Sequence, residues 1–320
     1  MDKIYKTLLS IRDSYFIKTS CIHILLKNEF FAEEIRSYRF IQRIPSIELS
    51  DGTILSSYES HRSPDLKKFK IPSSHMTCIL NYILRFKYPH FRPDLTIRTA
   101  PVPRRIFPSI IHRQHLNTFY DICEGTDSPE KLADIFSVRK GSKVLELGSF
   151  IGMGTVNLSK MTGSKGGVIS VEADQKAFFN LTLNLENNHI QNVRSINCAV
   201  SDKDTDKELI FKDVFQKNSI IKGVIDNQKT ETIKSKRVET ICKENDFDPD
   251  FIIMTINGAE YKVLQNSLKF LKKLGSLRIV VPGWYKDQNG LTGPRIISLL
   301  KDANFQVAFT KGMHIFAYKN

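Results

Sequence analysis

The sequence predicts an α/β protein whose C-terminal part, residues 128–320, is a mostly parallel sheet covered by helices. Three observations carry that expectation. From Lys143 onward, strand-like apolar runs alternate with helix-like segments. The first run, Val144-Leu145-Glu146-Leu147, opens into the glycine-spaced turn Gly148-Ser149-Phe150-Ile151-Gly152-Met153-Gly154. The second run, Gly167-Val168-Ile169-Ser170-Val171-Glu172, ends in an acid eighteen positions after Gly154.

Taken in order, residues 1 to about 40 read as helical, because Leu8, Ile11, Phe16, Ile22, Leu25 and Leu26 recur at roughly helical spacing. Ile47 to Leu55 alternates around Asp51-Gly52, a pair that tolerates the positive backbone angles of a tight turn, and reads as a β-hairpin. Seven prolines between Arg62 and Pro108 exclude long helices there and leave an irregular connecting region. Short helices are expected over Ile110–Cys123 and Pro129–Phe136, the second with Ser128 as cap and Pro129 at the first helical position. Residues 1–127 therefore form a mainly helical, proline-containing, basic N-terminal region. Strands are expected near 143–148, 167–172, 193–198, 251–256, 277–282, 305–310 and 313–319. Helices are expected near 153–162, 175–188, 259–272 and 293–303, with a hairpin-like excursion over 207–240.

Composition sets bounds. The chain has 320 residues, 41% hydrophobic, enough for a sizeable core. No apolar run approaches the roughly 18 residues of a membrane span, and Asp2, Lys3, Lys6, Arg12 and Asp13 break up any leader-like segment. Five dispersed cysteines without a C-x-x-C argue against disulfides and zinc, and fit a reducing cytoplasm. No metal site is expected. The net charge of +13 is concentrated: Ile54 to His115 holds eleven Lys/Arg against three acids, interleaved with Tyr82, Phe86, Tyr88 and Phe91. That stretch is compatible with nucleic-acid binding, but a solvated basic face is the favoured reading.

Glycines serve where backbone turns tightly or approaches a ligand closely. A strand, a glycine loop and a helix start together make a nucleotide-binding device, with a carboxylate about 20 residues on for ribose hydroxyls. Glu172 stands at that offset. The spacing E-x-G-x-x-x-G-x-G is neither the dinucleotide fingerprint nor a P-loop, and it resembles motif I of the Rossmann-like S-adenosylmethionine-dependent methyltransferases.

The last 180 residues or so resemble, more narrowly, the FkbM-type methyltransferases. Two further stretches carry that match: Asn197-Cys198-Ala199-Val200-Ser201-Asp202 and Asn257-Gly258-Ala259-Glu260-Tyr261-Lys262-Val263-Leu264. The resemblance implies a Rossmann-like class I methyltransferase fold with a mostly parallel seven-stranded sheet and S-adenosyl-L-methionine as cofactor. It implies Glu146 near the amino-acid end of the cofactor, Gly148, Ser149, Phe150 and Gly152 along the loop, and Glu172 with Ala173 at the ribose. Ala199, Val200 and Ser201 would lie beside the adenine.

One departure bears on chemistry. Where the FkbM pattern reads K-I-D-V-E-G-A-E, this chain has Thr255 for the Asp and Asn257 for the first Glu. Neither is a base near neutral pH, though both orient a substrate by hydrogen bonding. Thr255, Asn257, Glu260 and Tyr285 are the candidate catalytic residues. His112 and His115 are alternative bases, and Trp284 is a candidate pocket wall. The implied activity is O-methylation of a hydroxyl on a sugar, lipid-linked glycan or small metabolite. Two other readings remain open: an RNA-directed methyltransferase using the basic 54–115 stretch, and a binding or scaffold protein that kept the fold without catalysis.

Overall fold

The computed structural model describes residues 35–41, 44–56, 122–124, 132, 134–210, 230–310 and 313–320. Two compact units divide the chain: Met1–Ile106 with Leu183–His189, and Phe107–Thr182 with Ile190–Asn320.

In the first unit, β1 (Ile35–Ile41), β2 (Ile44–Leu49) and β3 (Ile54–Ser56) form an antiparallel sheet in that order. The expected hairpin is β2–β3. Gly52 takes φ 82, and Thr53 N donates to Asp51 Oδ1 at 2.9 Å, so the Asp-Gly pair makes its turn by side-chain capping. The helical expectation for residues up to about 40 is corrected at Ile35–Ile41. That segment, Ile-Arg-Ser-Tyr-Arg-Phe-Ile, is β-branched and aromatic, and pairing with β2 outweighs any helical spacing. Residues 1–34 of that expectation lie outside the described residues.

The second unit is built on one sheet. Its first strands are β4 (Ile122–Glu124), β5 (Lys143–Leu147), β6 (Gly167–Glu172) and β7 (Val193–Asn197). Helices α1 (Met153–Thr162) and α2 (Gln175–Asn187) follow β5 and β6. The first excursion is a small sheet of β8 (Ala199–Val200), β9 (Thr205–Ile210) and β10 (Thr230–Lys236), then α3 (Val238–Glu244). The chain then runs β11 (Phe251–Met254), α4 (Glu260–Lys273) and β12 (Leu277–Pro282). A two-residue hairpin, β13 (Lys286–Asp287) with β14 (Gly290–Leu291), leads to α5 (Thr292–Asp302), β15 (Gln306–Thr310) and β16 (His314–Lys319). The sheet order is β4-β15-β16-β12-β11-β5-β6-β7. From β7 to β12 every pairing is parallel, and only β16 among the seven expected strands runs against the others.

The seven strands lie within one or two residues of their expected bounds. Short β4 is an eighth, at the edge, and it corrects the helix expected over Ile110–Cys123 at residues 122–123; residues 110–121 are outside the described set. The helix α3 and the β13–β14 hairpin carried no periodicity long enough to be read.

Strands buried on both faces explain the unbroken apolar runs. In β5, Leu145 and Leu147 join one cluster with Val171, Met254, Val263 and Leu264, while Val144 joins another with Phe136, Leu158 and Phe251 on the opposite face. Phe136 meets Phe251, Phe316 and Tyr318 edge-on, at 6.0, 5.4 and 6.0 Å between ring centres. Arg278 ties the 135–137 segment down: it donates to Ile135 O and Ser137 O and pairs with Asp250.

Candidate active site

The chain winds outward from β5 through β6 to β7, then returns across the sheet to β11. Strand order reverses between β5 and β11, and in open α/β sheets ligands bind outside the carboxyl ends of the strands at such a point. Gly148 follows β5 and Thr255 follows β11. Thr255 N donates to Leu147 O at 2.7 Å, and a Cβ on Gly148 would lie 1.9 Å from Thr255 O. Only glycine allows the two strand ends to close so far, and its φ of +86 adds a second reason.

The loop beyond is tied to β6. Gly148 N and Ser149 N both donate to Val171 O, at 2.9 and 3.1 Å, and Ser149 Oγ donates to the same oxygen at 3.2 Å. Phe150 takes φ 54, and its N–H donates to Glu172 Oε2 at 2.7 Å. Asp174 N donates to Glu172 Oε1 at 2.9 Å. With Ala173 N also bonded, three backbone donors leave the carboxylate part of its acceptor capacity for a ligand. Burial pushes the Glu172 carboxyl up to about 7, opposed by those backbone hydrogen bonds. Gly152, at φ +79, begins α1; a Cβ there would meet Leu181 Cδ1 at 2.3 Å.

Glu146 is 1% exposed, on β5 between β11 and β6. Its Oε2 accepts from Thr155 Oγ1 at 2.6 Å and from Ser170 Oγ at 3.3 Å, while Oε1 is buried with no protein partner. Burial pushes its carboxyl up to about 8. Asn197 Nδ2 donates to the backbone carbonyls of Glu172 at 2.8 Å and Ala173 at 3.2 Å, fastening the end of β7 to the end of β6. Ala199 and Val200 are buried in β8, paired with Ser235 and Lys236 of β10 rather than continuing β7; Ser201 N donates to Lys236 O.

At the β11 end, Asn257 takes φ 53 and its Oδ1 accepts from Tyr285 Oη at 2.8 Å. That bond joins two residues 28 positions apart, both named from the sequence. Glu260 is fully buried, and its two oxygens accept from Ile256 N at 3.0 Å and Gly258 N at 2.8 Å, stapling the 256–258 loop. Burial raises its carboxyl to about 7. Thr255 Oγ1 is a buried hydroxyl with no protein partner. Burial and the nearby Glu260 push the Tyr285 phenol well up. Trp284 packs against Tyr285 at 5.9 Å and meets His314 edge-on at 4.9 Å. Burial pushes His314 down to about 4, so it is neutral at pH 7. His112 and His115 lie outside the described residues, as does most of the basic 54–115 stretch.

Sequence reasoning missed Thr155, Ser170 and His314. Thr155 and Ser170 follow from the strand and helix periods once Glu146 is known to face α1. Nothing in the local sequence marks His314, which is brought to Trp284 by the reversed strand β16.

The residues fit S-adenosylmethionine: a glycine loop at the switch point, a carboxylate with spare acceptor capacity, and a buried orphan oxygen on Glu146. Among the described residues no group of three or more His, Cys, Asp or Glu could hold a metal, and no helix is long and apolar enough to cross a membrane.

A family model described as protein-L-isoaspartate(D-aspartate) O-methyltransferase matches residues 129–204. That span holds the glycine loop, Glu172 and Ala199-Val200-Ser201, and excludes the Asn257 loop on which the FkbM resemblance partly rests. No curated protein matches the chain. Similar solved structures include an S-adenosylmethionine-dependent methyltransferase from Aquifex aeolicus, 19% identical over 60% of this chain and 88% of that one, TM-score 0.35. Another is Aeropyrum pernix fibrillarin with natively bound S-adenosyl-L-methionine, 12% identical over 89% and 98%, TM-score 0.38. A third is precorrin-6y C5,15-methyltransferase from Geobacter metallireducens, 12% identical over 66% and 97%, TM-score 0.34. At these scores the likeness adds no argument to the strand order itself. Sheet order and glycine loop give the second unit a Rossmann-like fold of the class I methyltransferase type, and residues 129–204 match a methyltransferase family model.

Proposed function

We propose that the chain transfers a methyl group to a hydroxyl oxygen of a sugar, lipid-linked glycan or small metabolite, held at the ends of β11 and β12. The observation that carries this reading is the Thr255 hydroxyl, buried and without a protein partner where β11 meets the glycine loop. A buried polar group left unpaired costs free energy, so an orphan at a switch point is best explained by a ligand that completes it. The Tyr285–Asn257 bond beside it supplies a second neutral polar contact. The FkbM resemblance, with its hydroxyl acceptors, supports the same class of substrate.

When bound, S-adenosylmethionine supplies an electrophilic methyl on a sulfonium that is its own leaving group. What remains for the chain is positioning, which lowers much of the barrier to an in-line displacement. Thr255 and Asn257 orient the acceptor, and Tyr285 holds the Asn257 amide in one rotamer. Glu260 is a positioning residue, because both its oxygens are spent on the loop backbone. None of these four is a general base near neutral pH: two are neutral, Tyr285 titrates well above its usual range, and both Glu260 oxygens are held by loop N–H groups, so the acceptor's proton leaves to solvent as the new C–O bond forms and the sulfonium C–S bond breaks.

The test is methyl transfer from labelled S-adenosylmethionine to a panel of glycans, lipid-linked sugars, hydroxylated metabolites, peptides and RNA. The reading expects label on a hydroxyl acceptor, with Tyr285→Phe lowering the rate by about 10- to 100-fold through lost positioning. Label confined to nitrogen or to RNA, or cofactor binding without transfer to any acceptor, would overturn it.

A further inference from the structure

Four asparagines crowd α2 and its exit: Asn180, Asn184, Asn187 and Asn188. Asparagine is a poor helix former, because its side chain competes for nearby backbone groups. Two of the four do something specific. Asn184 Oδ1 accepts from Ser56 N at 2.6 Å while its Nδ2 donates to Ser56 O at 3.0 Å. Asn188 Oδ1 accepts from Ile54 N at 2.8 Å while its Nδ2 donates to Ile54 O at 2.6 Å. Asn187 Nδ2 adds a bond to Ser56 Oγ at 3.0 Å, and that hydroxyl also meets Ser46 Oγ at 2.7 Å.

A primary amide presents one acceptor and one donor side by side, the same pair a peptide group offers along a strand edge. The periods also agree. Residues 54 and 56 are about 6.8 Å apart along an extended strand, and four helical residues rise about 6 Å. One turn at the end of α2 therefore presents two amides in strand register. Leu55, between them, is in register with Ile47 of β2 on the other side.

Among the described residues β3 is the outer strand of its sheet, and an outer strand leaves a row of backbone groups that recruits extended segments of other chains. We infer that Asn184 and Asn188 act as a side-chain strand that closes the β3 edge and keeps a second copy of this chain from adding to it. This stands independently of the reading of the methyl acceptor.

Hydrogen exchange at the Ile54 and Ser56 amides, with sedimentation velocity, tests it on the full chain and on Asn184→Leu/Asn188→Leu. Leucine approximates asparagine in size and is the better helix former, so α2 persists. The variant is expected to exchange at those two amides about 10-fold faster, in line with loss of paired hydrogen bonds. It is also expected to self-associate with concentration more than wild type, with Leu145 and Ile169 amides unchanged. Wild-type protection at Ile54 and Ser56 would overturn the ladder. Lost protection with wild-type sedimentation would overturn the exclusion of a second copy. Should Leu145 and Ile169 also lose protection, Asn184→Asp/Asn188→Asp, which keeps the acceptors and removes the donors, is read by the same two criteria.

Discussion

Replacing Gly148 with alanine probes the joint between β5 and β11 with one methyl group. The added Cβ would lie 1.9 Å from Thr255 O and 2.8 Å from Thr255 C, both backbone atoms of a strand end buried in the sheet. No flexible side chain can yield to it. The φ of +86 costs a non-glycine residue about 1–2 kcal/mol by itself. Forcing the strand ends apart adds about 1–3 kcal/mol, the usual range for overpacking. The expected loss is therefore about 2–5 kcal/mol, read as a lower urea midpoint at unchanged m-value. Gly141→Ala is the control: its φ is +91 but nothing lies within 4 Å of a Cβ there, so only the backbone strain applies. Equal midpoints for the two variants would refute the close approach of the β5 and β11 ends.

Two further outcomes follow from the same geometry. Glu146, Glu172 and Glu260 have folded carboxyls raised to about 8, 7 and 7, so between about pH 4.5 and 8 the folded chain holds protons that the unfolded chain releases. Their contribution is fully present below about pH 4.5 and is lost as pH rises through that window; Glu146→Gln should flatten the fall in urea-measured stability, and an unchanged slope would show that Glu146 is not the buried acid described. Thr255→Val removes an orphan hydroxyl at constant shape, so stability should stay level or rise by up to about 1 kcal/mol while methyl transfer falls about 10-fold; a destabilised variant would mean the hydroxyl already has a structural partner.

The sheet was legible because parallel strands buried on both faces announce themselves as apolar runs between amphipathic helices, and the β5–β6 motif set the rest in register. The Asp51-Gly52 hairpin was legible for a local reason, the turn chemistry of that dipeptide. Ile35–Ile41 was misread because its strand character is realised only by pairing with β2. Short β4, α3 and the β13–β14 hairpin lack enough residues to show a period. In the site, Glu146, Gly148, Glu172 and Asn257 were visible as motif positions. The Tyr285–Asn257 bond, the Thr155 and Ser170 hydroxyls on Glu146, and His314 against Trp284 were not, because tertiary contacts across strands leave no spacing in the chain. The structure also shows that a large residue at Gly152, beside Leu181, would disturb the core as well as the cofactor loop, so a milder variant isolates binding.

That variant is Glu172→Gln, which keeps size but removes the carboxylate at the end of β6. Calorimetric titration of the full chain with S-adenosylmethionine tests the central claim most directly. One-site binding by wild type is expected, weakened by about 10- to 100-fold in Glu172→Gln as charge-assisted hydrogen bonds are lost. A folded wild-type chain that gives no heat of binding, or a Glu172→Gln variant that binds as tightly as wild type, would contradict it.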